Sequence, residues 1–177
     1  MLIFLTGFMG CGKSTDGKTA AKLLKVPFLD LDLELEKSSG QSVYSFIKTQ
    51  GIRAFRQFET ETLLQTYQIL QIEPCPPETP NPKPQAIIAT GGGCVLSEDN
   101  CKFLMQPNHS VVWLDLPFEV LIPRIRKSDR PLLQGLNEDE IYKLFKTRLH
   151  IYESVASHRI TEPPFPEQIC SLFTPIA

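Results

Sequence analysis

One stretch narrows the possible folds more than any other: Gly7-Phe8-Met9-Gly10-Cys11-Gly12-Lys13-Ser14-Thr15. It follows the short apolar run Leu2-Ile3-Phe4-Leu5 and opens a segment with small or apolar residues at Ala20, Ala21, Leu23 and Leu24. An uninterrupted apolar run of that length reads as a strand buried on both faces of a parallel sheet, and the segment after it as a helix. A G-x-x-x-x-G-K-[ST] spacing held between a strand and a helix is a phosphate-binding loop. Its glycines let consecutive amides turn toward an anion, and the helix start adds unpaired N–H groups and a positive dipole end. Gly10, Cys11, Gly12, Lys13, Ser14 and Thr15 are therefore candidate ligands of a nucleotide's phosphates. Lys13 would reach the β- and γ-phosphates, and the Ser14 hydroxyl would ligate Mg²⁺.

Three further runs read as buried strands: Pro27-Phe28-Leu29-Asp30, Ala86-Ile87-Ile88-Ala89-Thr90 and Val111-Val112-Trp113-Leu114-Asp115, with Trp113 expected in the core. Residues 31–71 are patterned as helix, with breaks at Ser38-Ser39-Gly40 and at Gly51. Helical segments follow at 118–127 and 137–156, separated by a polar stretch at 128–135. Alternation of strand and helix predicts an α/β fold with a parallel sheet. Six of the chain's 15 prolines fall at Pro74, Pro76, Pro77, Pro80, Pro82 and Pro84. Proline fixes φ and removes a donor, so residues 73–84 are expected to be a surface loop leading into the third strand. With 177 residues and no internal repeat, the chain is expected to be a single domain spanning 1–177.

Composition excludes several classes of function. Lys and Arg total 18 against 20 acidic residues, a net charge of -2, which is no electrostatic footprint for nucleic acid. The five cysteines, Cys11, Cys75, Cys94, Cys101 and Cys170, form no C-x-x-C pair. Reduced thiols are expected rather than a disulfide framework or a zinc site. His109, His150 and His158 show no metal-ligand spacing. No stretch approaches the ~20 apolar residues of a membrane helix. The N-terminal apolar run is too short for a signal sequence. A soluble, cytoplasmic protein with no nucleic-acid or membrane partner is the expectation. The loop alone leaves the reaction open, since ATPases, GTPases and many kinases share it; no guanine-reading N/T-K-x-D segment is present.

Five further segments, in order, resemble the shikimate kinase family: Asp30-Leu31-Asp32, Phe55-Arg56-Gln57-Phe58-Glu59, Gly91-Gly92-Gly93, Asp129-Arg130-Pro131-Leu132-Leu133 and Arg148-Leu149-His150-Ile151-Tyr152. The resemblance covers roughly residues 2–160. It implies a three-layer α/β/α P-loop kinase with a five-stranded parallel sheet in the order 2-3-1-4-5, and a monomer transferring phosphate from ATP to shikimate with Mg²⁺. By the same resemblance, helices at about 31–71 bind substrate and 128–135 form a lid. Asp30 would hold Mg²⁺ through water, and Asp32 would take the proton of the attacked hydroxyl. Arg56 and Arg148 would grip the substrate carboxylate, with Gly91, Gly92 and Gly93 beside it. Arg130 would close over the phosphates as a catalytic group with Lys13 and Asp32. Arg124 would stack near adenine, and 161–166 falls where the family's adenine-covering loop lies.

The chain departs from the family's pattern at two places. Asp16-Gly17 stands where an aliphatic residue and glycine are usual, which puts an acid near the triphosphate. Gly51-Ile52 stands where Gly-Glu is common, which bears on how Arg56 is supported. Two other readings stay open on the sequence: a kinase for another small hydroxy acid such as gluconate, and a non-catalytic relative that keeps the fold.

Overall fold

Leu2, Ile3, Phe4 and Leu5 are all fully buried, and with Thr6 they form β1 (Leu2–Thr6) at the centre of the sheet. The computed structural model describes residues 1–70, 83–127, 133 and 135–174. The other strands are β2 (Phe28–Asp30), β3 (Ala86–Ala89), β4 (His109–Leu114) and β5 (His158–Ile160). All pairings are parallel, in the order β2-β3-β1-β4-β5. This is the sheet that the resemblance implied. Because β3 lies between β2 and β1, the loops leaving these three strands emerge side by side at their C-terminal ends, where open α/β sheets bind ligands.

The helices are α1 (Lys13–Leu24), α2 (Leu31–Ser39), α3 (Val43–Ile69), α4 (Glu98–Leu104), α5 (Phe118–Arg126), α6 (Glu138–Val155) and α7 (Phe165–Phe173). They flank the sheet as outer layers. The predicted helical stretch 31–71 resolves into α2 and α3 at the expected breaks. Gly40 takes the left-handed conformation that stops α2, and Gly51 (φ 85, ψ 162) kinks α3. Local caps set the other starts. Ser42 accepts from the Ser45 amide, and Asn137 and Glu140 form a reciprocal capping box on α6.

Helix α1 packs on the sheet with almost no clearance. A Cβ at Gly17 would lie 2.5 Å from Leu5 Cδ1 and 2.9 Å from Phe28 Cε2. A second, smaller apolar cluster of Leu35, Phe46 and Phe55 joins α2 to α3, with Phe46 and Phe58 stacked at 5.1 Å. Trp113 is in the core, as expected.

Some expectations need correction or fall outside the described residues. Strand β4 begins at His109, two residues before the predicted run. Helices α4 and α7 and strand β5 were not predicted from the residue pattern. Most of the Pro-rich segment 73–84 and of the expected lid 128–135, including Arg130, lies outside the described residues. Among the described residues, Cys11, Cys94, Cys101 and Cys170 are free thiols, and no helix is long and apolar enough to cross a membrane.

The close approach at Gly17 gives a test of this packing. Gly17→Val should lower unfolding free energy by about 1–3 kcal/mol, as overpacked cores do. An unchanged urea midpoint would show that α1 can lift from the sheet without cost.

Candidate active site

The C-terminal ends of β1, β2 and β3 open onto one cleft of ≈ 1120 Å³. At one end lies the loop after β1. Gly12, the N-cap of α1, has φ 105 and ψ 4, a left-handed geometry suited to glycine, and no side chain caps the helix. The first-turn amides are thus available to an anion. Lys13 Nζ donates to the carbonyls of Gly7 (2.8 Å) and Phe8 (3.2 Å), which lays its ammonium across the loop. Gly10, Gly12, Lys13, Ser14 and Thr15 line the cleft. Cys11 does not: its side chain is fully buried and its amide donates to the Phe8 carbonyl. Arg124 of α5 reaches the same edge, donating to the Gly10 carbonyl at 3.2 Å.

Beside this loop, the Ser14 hydroxyl donates to Asp30 Oδ2 at 2.5 Å. Asp30 is buried, and its other oxygen accepts from the Asp32 amide, so it also caps α2. A hydroxyl and a carboxylate meeting next to an anion nest are hard oxygen donors that fit Mg²⁺, which takes one or two protein oxygens alongside phosphate and water. Among the described residues no group of three or more His, Cys, Asp or Glu side chains forms a metal cage.

A second part of the cleft lining carries two arginines and three glycines. Arg56, on α3, pairs with Glu59 Oε2 at 2.6 Å and lies over the Phe55 ring at 5.1 Å, so the α2–α3 cluster anchors it. Arg148, on α6, is buried. It donates to the Gly92 carbonyl at 3.0 Å and lies 5.6 Å over the Phe8 ring. None of the residues 91–93 has positive φ, so Gly91 and Gly93 are constrained by space rather than by backbone angle. A Cβ at Gly91 would sit 2.6 Å from Glu59 Oε1 and 2.8 Å from Asp32 Oδ1; one at Gly93 would sit 2.6 Å from Arg56 Cζ. Asp32, Arg56, Arg148 and all three glycines line the same cleft as Lys13.

Two residues of this part were quoted within motifs but given no role. Glu59 is almost fully buried and Tyr152 completely so. The signal for Glu59 was its i,i+3 spacing from Arg56, which places an acid and a base on one helix face. Burial raises the Glu59 carboxyl above its ordinary range; the nearby Arg56 charge opposes that shift, and Asp32 adds to it.

The departures also resolve. The Asp16 carboxylate folds back over Gly12 and lines the cleft, and burial raises its pKa against the pull of Arg124. Ile52 is exposed, and Arg56 draws its ionic support from Glu59.

A phosphate-loop motif and two arginines lining one cleft suit a P-loop kinase acting on a small anionic acceptor. Comparison with known proteins narrows this. The family profile described as Shikimate kinase matches residues 9–174. Shikimate kinases of Persephonella marina and Aquifex aeolicus are 34% and 35% identical over 94% and 96% of this chain, and over 93% and 91% of theirs. The solved structure of shikimate kinase from Acinetobacter baumannii in complex with shikimate has a TM-score of 0.79 at 32% identity, covering 96% of this chain and 88% of that one. The structure of the Aquifex aeolicus enzyme has a TM-score of 0.75 at 34% identity, covering 97% and 93%. The chain belongs to the shikimate kinase family.

The buried glutamate makes stability depend on pH in a defined direction. Its folded carboxyl keeps the proton to higher pH than the unfolded one. The group therefore favours folding most below the ordinary value of 4.5, and less as pH rises through its folded value. Glu59→Gln removes that slope, so the variant should gain stability relative to the native protein between pH about 4.5 and neutrality. Urea unfolding across that range checks it; a difference independent of pH would mean that no charge is buried there.

Proposed function

We propose that this chain transfers the γ-phosphoryl group of ATP to the 3-hydroxyl of shikimate, acting as a cytoplasmic monomer. The observation that carries this reading is the shared cleft: Lys13 and its amide nest, Asp32, Arg56 and Arg148 all line one cavity. A planar guanidinium pair suits a carboxylate, because each fork can offer two parallel hydrogen bonds. In that reading Arg56 and Arg148 orient the acid, and Gly91, Gly92 and Gly93 leave room for it against the backbone.

The chemistry breaks the bond from the γ-phosphorus to the bridging oxygen of ADP and forms one to the acceptor oxygen. Asp32 accepts the hydroxyl proton. Lys13 and the first-turn amides of α1 neutralise the phosphate oxygens, with Arg130 of the lid as a further cation. Such transfers are driven mainly by alignment and charge stabilisation. Ser14 and Asp30 would hold Mg²⁺, which supplies positive charge to the β- and γ-phosphates. Arg124 would lie against adenine.

Purified protein with ATP and Mg²⁺ should release ADP with shikimate, and not with gluconate or AMP, in a coupled assay. Turnover with gluconate alone would replace the acceptor. Nucleotide binding without turnover on any acceptor would favour the non-catalytic reading. Arg56→Ala should weaken shikimate binding about 10- to 100-fold, the loss of a charged hydrogen-bonded pair, with ATP affinity nearly unchanged. Equal loss of both affinities would point to a folding defect. Asp32→Asn should lower kcat by about 10²- to 10⁴-fold, the range for a lost general base, with a much smaller change in shikimate affinity. An unaffected rate would strip Asp32 of that role.

A further inference from the structure

The Gly92 carbonyl accepts two hydrogen bonds, from Arg148 Nη1 at 3.0 Å and from the Tyr152 hydroxyl at 2.5 Å. The donors lie one turn apart on α6, and together they fill both lone pairs of the oxygen. Tyr152 has no solvent exposure and lies 6.0 Å from Trp113 between ring centroids. Burial pushes its phenol well above the ordinary range, so the hydroxyl stays a donor at any working pH. Arg148 is differently placed. Its Nε has no hydrogen-bond partner among the described residues, while one of its N–H groups is tied to the main chain. A guanidinium engages a carboxylate best with two parallel bonds. Turning Arg148 to do so would strip a bond from a partly buried carbonyl, and orphaning such a group is costly. The second donor removes that cost.

We propose that Tyr152 is a positioning residue for the acceptor: its hydroxyl keeps the Gly92 carbonyl satisfied, so that Arg148 can release it and present its fork to the substrate carboxylate. The inference rests on the assignment of Arg148 to that carboxylate. Tyr152→Phe retains the ring and deletes one donor. Shikimate affinity, followed by the fluorescence of the single tryptophan, should fall about tenfold, equivalent to one hydrogen bond. ADP affinity should not change. Shikimate methyl ester, which lacks the anionic carboxylate, should bind native and Tyr152→Phe protein alike.

The outcomes separate the two readings. If the native protein binds the ester as tightly as the acid, the Arg148 assignment fails and the inference fails with it. If the acid binds native protein more tightly but Tyr152→Phe weakens acid and ester equally, or neither, only the role of Tyr152 is overturned. A double-mutant cycle supplies the second check. In an Arg148→Lys background, which has no fork to present, Tyr152→Phe should cost little more; fully additive losses would overturn the proposal. Should Tyr152→Phe fold poorly alone, the comparison is made on ADP-saturated protein, since a bound ligand stabilises the native state.

Discussion

Both the amide and the hydroxyl of Thr90 donate to one acceptor, the Leu5 carbonyl, at 3.0 and 2.9 Å. This clasp sits where β3 leaves the sheet beside β1. It holds the chain entering the triple glycine next to the chain entering the phosphate loop. Thr90 is buried, so water does not compete for the bond. The rest of the site follows from that adjacency. With β3 between β1 and β2, the nest, the glycines and the Asp30–Asp32 segment leave adjacent strands and line one cleft, to which α3 and α6 add their arginines.

Much of the fold was legible because a parallel sheet buries both faces of its strands. The runs Leu2–Leu5 and Ala86–Ala89 have no polar interruption, and they are strands. The elements that escaped lack such a signature. Strand β5 is only His-Arg-Ile, with a single buried residue. Helix α4 is seven residues long, too short for periodicity to show. Helix α7 follows Pro163-Pro164 and contains Pro166, which read as loop.

The site was legible unevenly, and for a physical reason. The phosphate loop is contiguous, so Lys13 and Ser14 could be assigned from spacing. Arg56 and Arg148 lie on different helices, and nothing in their spacing brings them together; that expectation came from the resemblance alone. Glu59 and Tyr152 went unassigned because a helical acid is usually solvated and a tyrosine usually just packs. Their roles appear only when burial and partners are known. The glycines at 91–93 were expected to let backbone amides approach the substrate closely; at Gly91 and Gly93 the missing Cβ also lets Glu59, Asp32 and Arg56 pack tightly against the main chain. Asp16 was undecidable from sequence, since its direction depends on how α1 meets the loop.

Gly92 also faces the other way. A Cβ there would lie 3.2 Å from Met9 Cγ and 3.5 Å from the Met9 amide nitrogen, so the acceptor-side glycine is in contact with the donor-side loop. Close-packed segments transmit displacement rather than absorb it. A shift of the phosphate loop at Met9 would therefore press directly on the Gly92 main chain, and a shift at Gly92 would press back on the loop.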